Sequence, residues 1–162
     1  MKFARLMAAL SCALLSSTAL AALTLQRSTN LSDSLGGSLS ITTSGTVQIP
    51  GANTTSQATL SNFHPQDDQS LVANGNITRT HERSNEVATT TYNGSLSLSG
   101  TNKNGNAVND ALELQNLQVV RDGDGPAFSG TIVFNGKSID AAQMSDDAKH
   151  LLHRVLRFFS FD

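Results

Sequence analysis

The stretch ITRTHERSNEVATTTY, residues 77–92, decides how this chain folds. Ser84-Asn85 stands at its centre, and folding there sets Arg83 opposite Glu86, Thr80 opposite Thr89 and Ile77 opposite Tyr92. Threonine pairs and arginine–glutamate pairs are favourable directly opposed neighbours in an antiparallel ladder. The stretch therefore reads as a β-hairpin.

The two-residue period behind that reading extends in both directions. SLSIT (38–42) and TVQI (46–49) alternate before it, and SLSLS (95–99) places Leu96 and Leu98 on one face with serines on the other. In ALELQ (111–115) Leu112 and Leu114 share a face, but Leu117 and Val119 continue with the phase shifted by one. That shift predicts a β-bulge at Gln115-Asn116. FSGTIVF (128–134) aligns Phe128, Gly130, Ile132 and Phe134. Asn135-Gly136, Asn104-Gly105 and DGDGPAF (122–128) are turn signals between runs. Residues 50–57 and 64–69 read as loops. VANGNIT, TYNGSLSLSG and VFNGKSI each repeat a strand, Asn-Gly, strand pattern at irregular spacing, which reads as repeated hairpin chemistry in a meander.

Residues 1–21 have the form of a cleavable export signal. Lys2 and Arg5 precede an apolar run too short to span a bilayer comfortably, and Ala19-Leu20-Ala21 supplies the cleavage site. Cys12 lies inside the apolar run with Ala9 three residues before it, which disfavours acylation there, and no stop-transfer pattern follows to favour an uncleaved anchor. The remainder, residues 22–162, is long enough for one domain with its own core. The chain's one cysteine leaves with the signal, so no disulfide is expected.

Ser, Thr, Asn and Gly make up 57 of those 141 residues, against 34 Leu, Ile, Val and Phe. The apolar share stands just above the level at which disorder becomes the default, so the surface must be solvated by hydroxyls and amides. Without Lys2 and Arg5, nine basic residues face thirteen acidic ones, a net charge of −4. The linear sequence holds no basic stripe, so nucleic acid is not expected as a partner.

The period changes at the end of the chain, SDDAKHLLHRVLRFFSFD (145–162). Ser145 can cap a helix, with Asp146 and Asp147 in the first turn facing the positive end of the dipole. At 100° per residue, Ala148, Leu151, Leu152, Val155, Leu156, Phe158 and Phe159 fall on one arc, and Lys149, His150, His153, Arg154 and Arg157 on the other. An amphipathic helix is expected over about 146–159. It either packs as a lid on the sheet or meets an outside surface. In the second case the partner or membrane contacts would be Leu152, Val155, Leu156, Phe158 and Phe159, with Lys149, Arg154 and Arg157 on anionic groups.

Catalytic and metal motifs are not found. There is no G-x-S-x-G. His150 and His153 share a helical face, but their basic neighbours Lys149, Arg154 and Arg157 oppose a cation. Asp122-Gly-Asp124-Gly begins like a calcium loop, and Pro126-Ala127 ends the likeness. Glu82, Glu86 and Glu113 are surface residues in this reading. A hydrolase would need His64 or His81 beside a serine or an acid. An eight-stranded membrane barrel is disfavoured, because one tyrosine and no tryptophan cannot form two aromatic girdles.

The expectation is a mainly β protein, an antiparallel meander forming a sandwich or curled open sheet with one C-terminal amphipathic helix packed on it. It is expected to be non-catalytic, without cofactor, and periplasmic or secreted. Its expected partner is an envelope protein, glycan or lipid. A surface-assembly subunit and a peripheral lipid binder acting through the helix are the alternatives.

Overall fold

The computed structural model describes residues 22–65, 70–123 and 125–157, leaving aside the side chains of residues 151, 153–155 and 157. The expected export signal, part of the 64–69 loop, Asp124, Phe158, Phe159 and Phe161 lie outside the described residues.

Eight strands follow one another in chain order: β1 (Leu23–Ser32), β2 (Ser38–Gln48), β3 (Gly51–Phe63), β4 (Leu71–Ser84), β5 (Val87–Thr101), β6 (Ala107–Arg121), β7 (Pro126–Phe134) and β8 (Lys137–Asp140). Each pairs antiparallel with its neighbour, giving one open sheet in the order β1 to β8. The expected meander is thus a single sheet and not a sandwich. A short 3₁₀ turn (Ala141–Gln143) leads to the helix α1 (Asp146–Arg157). Ser145 caps it as the sequence predicts: its hydroxyl accepts from Ala148 N–H at 3.4 Å and its carbonyl from Lys149 N–H at 3.0 Å.

The core lies on one face of the sheet. Leu39 and Ile41 of β2, Ala58 and Leu60 of β3, Ile77, Tyr92, Leu114, Leu117, Val119, Phe128 and Ile132 form one cluster with Ala141, Leu152 and Leu156. The helix therefore closes over the sheet's apolar face. In this chain of small residues, two buried leucines contribute about 1.5–3 kcal/mol each.

Three local readings need correction. The 77–92 hairpin turns on Asn85-Glu86, one residue later than expected, so Ser84 faces Val87, Thr80 faces Thr91 and Ile77 faces Gly94. Asn85 supplies the left-handed backbone of that turn, φ 54°. Every partner moves by two residues, which preserves the faces. The expected loop at 50–57 is mostly strand. Its turn is confined to Ile49-Pro50, joined by a cis peptide bond, and β3 begins at Gly51. Small inward residues (Ala52, Thr54, Ser56, Ala58) hid the alternation. Finally, Asn135-Gly136 is a two-residue turn, but Asn74-Gly75 and Asn93-Gly94 lie inside β4 and β5.

The Asn-Gly echo nevertheless has one physical meaning. Asn74 Oδ1 accepts from Asn62 N–H at 2.7 Å, and Asn93 Oδ1 accepts from Asn116 N–H at 2.8 Å. Asn62 and Asn116 are left-handed residues at bulges in the adjoining strands, φ 48° and 49°. The bulge predicted at Gln115-Asn116 is there, opposite Asn93. The glycine that follows each side chain, Gly75 or Gly94, has a positive φ, and a Cβ there would strike the backbone of the facing strand.

Candidate functional site

Antiparallel register places directly opposed residues on the same face. Three rows run across the core-bearing face at the end formed by the β2–β3, β4–β5 and β6–β7 turns. The outermost is Leu23–Val47–Ala52–Arg83–Ala88–Arg121–Pro126. The next is Leu25–Gly45–Thr54–His81–Thr90–Val119–Phe128, and the third is Arg27–Thr43–Ser56–Arg79–Tyr92–Leu117. Beyond them the rows are apolar, with Ile41, Ala58, Ile77, Leu114 and Ile132 in register.

The four arginines of the strands, Arg27, Arg79, Arg83 and Arg121, all stand in these three rows. No carboxylate shares the rows. Glu82 and Glu113 are on the opposite face, where Glu82 is flanked by Asn53 and Thr89 and Glu113 by Ser95 and Val133. Alternation along β4 produces the central part: Arg79, His81 and Arg83 are two residues apart and share a face. Arg121 joins them across Ala88, and Arg27 comes from β1.

The interior of the patch is ordered by hydroxyl contacts. His81 Nδ1 lies 2.9 Å from Thr90 Oγ1, and Thr43 Oγ1 lies 2.9 Å from Ser56 Oγ. Ser56, Thr90 and Tyr92 are buried, and the Arg79 Nε is enclosed by protein. Arg27, Arg83 and Arg121 are exposed. The patch thus has a fixed, hydroxyl-lined floor and a cationic rim.

The same end carries exposed apolar side chains. Leu23, Leu25 and Val47 lie in the two outer rows, with Ile49 at the adjoining β2–β3 turn, while Val87 pairs with Ser84 on the opposite face. Ile49 is 73% exposed and Leu23 67%; one such side chain is ordinary, but their grouping at one end of the sheet is not.

A second polar constellation joins two turns at the other end of the sheet. The Asp33 carboxylate accepts from Leu35 N–H at 2.9 Å, Gly37 N–H at 2.8 Å and His64 N–H at 2.8 Å, and His64 Nδ1 lies 2.8 Å from its Oδ2. Burial works to raise the Asp33 pKa, but the hydrogen bonds from His64, Gly37 and Leu35 outweigh it and hold the carboxyl well below its usual range. Gly37 passes so close to Asn62 and Asp33 that no Cβ fits. This histidine does stand beside an acid, as a hydrolase would need. Three backbone amides already hold the acid, and its geometry is that of a clasp between the β1–β2 turn and the end of β3.

No protein-family model, curated protein or solved structure matches this chain.

The structure divides the contact residues expected on the helix. Leu152 and Leu156 are buried in the core cluster. Lys149 is half-buried, its Nζ 3.8 Å from Asp146 Oδ1. The side chains of Val155, Arg154 and Arg157, and all of Phe158 and Phe159, lie outside the described residues. Among the described residues no three His, Cys, Asp or Glu side chains gather as metal ligands, and no helix is long and apolar enough to cross a membrane. The basic rows escaped sequence reading because their members are distant in the chain. Only RTHER (79–83), with basic residues at alternate positions of a strand, carried a local signal.

Proposed function

We propose that this is an exported, non-catalytic binding protein that presents the basic rows of its sheet to an anionic ligand. The observation that carries the reading is the gathering of Arg27, Arg79, Arg83 and Arg121 on one face and at one end, in rows free of carboxylates. The segregation is by face: the rows carry the arginines, Glu82 stands on the opposite face, and Glu86 and Asp122 stand in the adjoining turns, so the positive potential belongs to the rows themselves. The form of residues 1–21 supports a periplasmic or secreted location.

The test is binding of residues 22–162 to dextran sulfate, followed by calorimetry at two salt concentrations. Saturable binding that weakens with salt, and weakens again in Arg27→Gln/Arg83→Gln, supports the reading. Absence of binding at low salt overturns it.

The length of edge strand β1, ten residues that pair on one side only among the described residues, favours a second reading as an assembly subunit. Sedimentation of the pure protein at high concentration separates the two, since an assembly subunit must polymerise.

A further inference from the structure

We infer that the anionic ligand is a lipid, and that the arginine-bearing face at this end of the sheet docks on the surface of an anionic bilayer. This inference rests on the anion-binding reading and adds the apolar side chains that a soluble anion would leave unexplained.

Two kinds of exposed residue share that end. Leu23, Leu25 and Val47 line the β1–β2 side of the outer rows, and Ile49 marks the β2–β3 turn. Arg83 and Arg121 continue the same outer row on β4 and β6, and Arg27 stands one row in from Leu25. Neighbouring strands lie about 4.8 Å apart, so the row from Leu23 to Arg121 spans about 24 Å of sheet. It is apolar over β1–β3 and cationic over β4–β6.

Apolar side chains entering the acyl boundary, with guanidinium groups at the level of the headgroups, is the arrangement that binds an anionic interface. A soluble polyanion would use the arginines and leave Leu23, Leu25, Val47 and Ile49 in water. Nucleic acid is disfavoured, because the aromatic rings of these rows, Tyr92 and Phe128, are buried and offer no stacking surface. The helix is not the docking element in this account, since Leu152 and Leu156 are committed to the core.

Residues 22–162, the span that carries the fold, are sedimented with vesicles of phosphatidylcholine alone and of phosphatidylcholine with phosphatidylglycerol in equal parts. Binding only to the mixed vesicles is expected. At about fivefold per arginine at an anionic surface, Arg27→Gln/Arg83→Gln binds them about 25-fold more weakly. Leu23→Ser/Ile49→Ser, which alters exposed side chains and leaves the core intact, also weakens binding. Dextran sulfate binding should be lost with the arginines and kept by the Leu23/Ile49 variant. Dextran sulfate binding without vesicle binding overturns the lipid inference and leaves the anion reading standing. No binding to either probe overturns both. Vesicle binding unchanged in the Leu23/Ile49 variant overturns the docking surface named here.

Discussion

Asn116 donates its backbone N–H to the side-chain oxygen of Asn93 at 2.8 Å, across the one place where β5 and β6 slip register. A bulge leaves a backbone group outside the ladder, and a neighbouring asparagine supplies the missing acceptor. Asn74 does the same for Asn62 between β3 and β4. The sheet therefore bends at two places by one device. Asn93→Ala should remove the acceptor and cost about 0.5–1.5 kcal/mol, the usual net worth of a hydrogen bond that water can partly replace. Urea unfolding measures it, and an unchanged midpoint would show that the bulge does not need its cap.

The glycine beside each asparagine is under a stronger constraint. Gly94 holds φ at 132°, and a Cβ there would collide with the Asn76 carbonyl oxygen. Gly105 also has a positive φ, 79°, but its Cβ would meet nothing within 4 Å. Gly105→Ala should cost about 1–2 kcal/mol of backbone strain, whereas Gly94→Ala adds a steric clash and should exceed about 3 kcal/mol. Equal costs in thermal melts would mean that the strands separate easily at Gly94.

The mainly β class, the bulge at Gln115-Asn116, the Asn135-Gly136 turn and the capped terminal helix were all legible in the sequence. Each rests on a local signal: an alternation, a phase shift, a turn dipeptide, a cap. What could not be read depends on register between distant strands. Asn74-Gly75 has the same composition as a hairpin turn, and only the bulge at Asn62 makes it a mid-strand feature. Arg27 and Arg121 became members of one patch through five successive pairings, none visible in the chain alone. The β3 strand was missed because its inward residues near Pro50 are as small and polar as its outward ones.

Asp33 should make stability pH-dependent in acid. Its folded pKa is lowered by the amides of His64, Gly37 and Leu35. A depressed carboxyl contributes in full above its unfolded value, about 3.9, and the contribution is lost as the pH falls from there through the folded value. The melting temperature of the natural protein should fall in that window. Asp33→Asn should start lower at pH 7 and lose less on acidification, because the asparagine cannot titrate. Parallel pH profiles for the two proteins would assign the acid sensitivity to other groups.

The helix should act as core. Leu156 is 2% exposed and Leu152 8%, in the same cluster as Ile41, Ile77 and Leu114. Few residues of this chain can replace them, because Leu, Ile, Val and Phe are only 34 of residues 22–162 against 57 Ser, Thr, Asn and Gly. Leu156→Ala should cost about 2–5 kcal/mol, the range for a leucine removed from a packed interior. Residues 22–144, which lack the helix altogether, should melt far below residues 22–162 or not fold. If instead the truncated chain melts unchanged, the sheet is stable with its apolar face uncovered. Leu152 and Leu156 would then be available to an outside surface, and membrane docking would return to the helix.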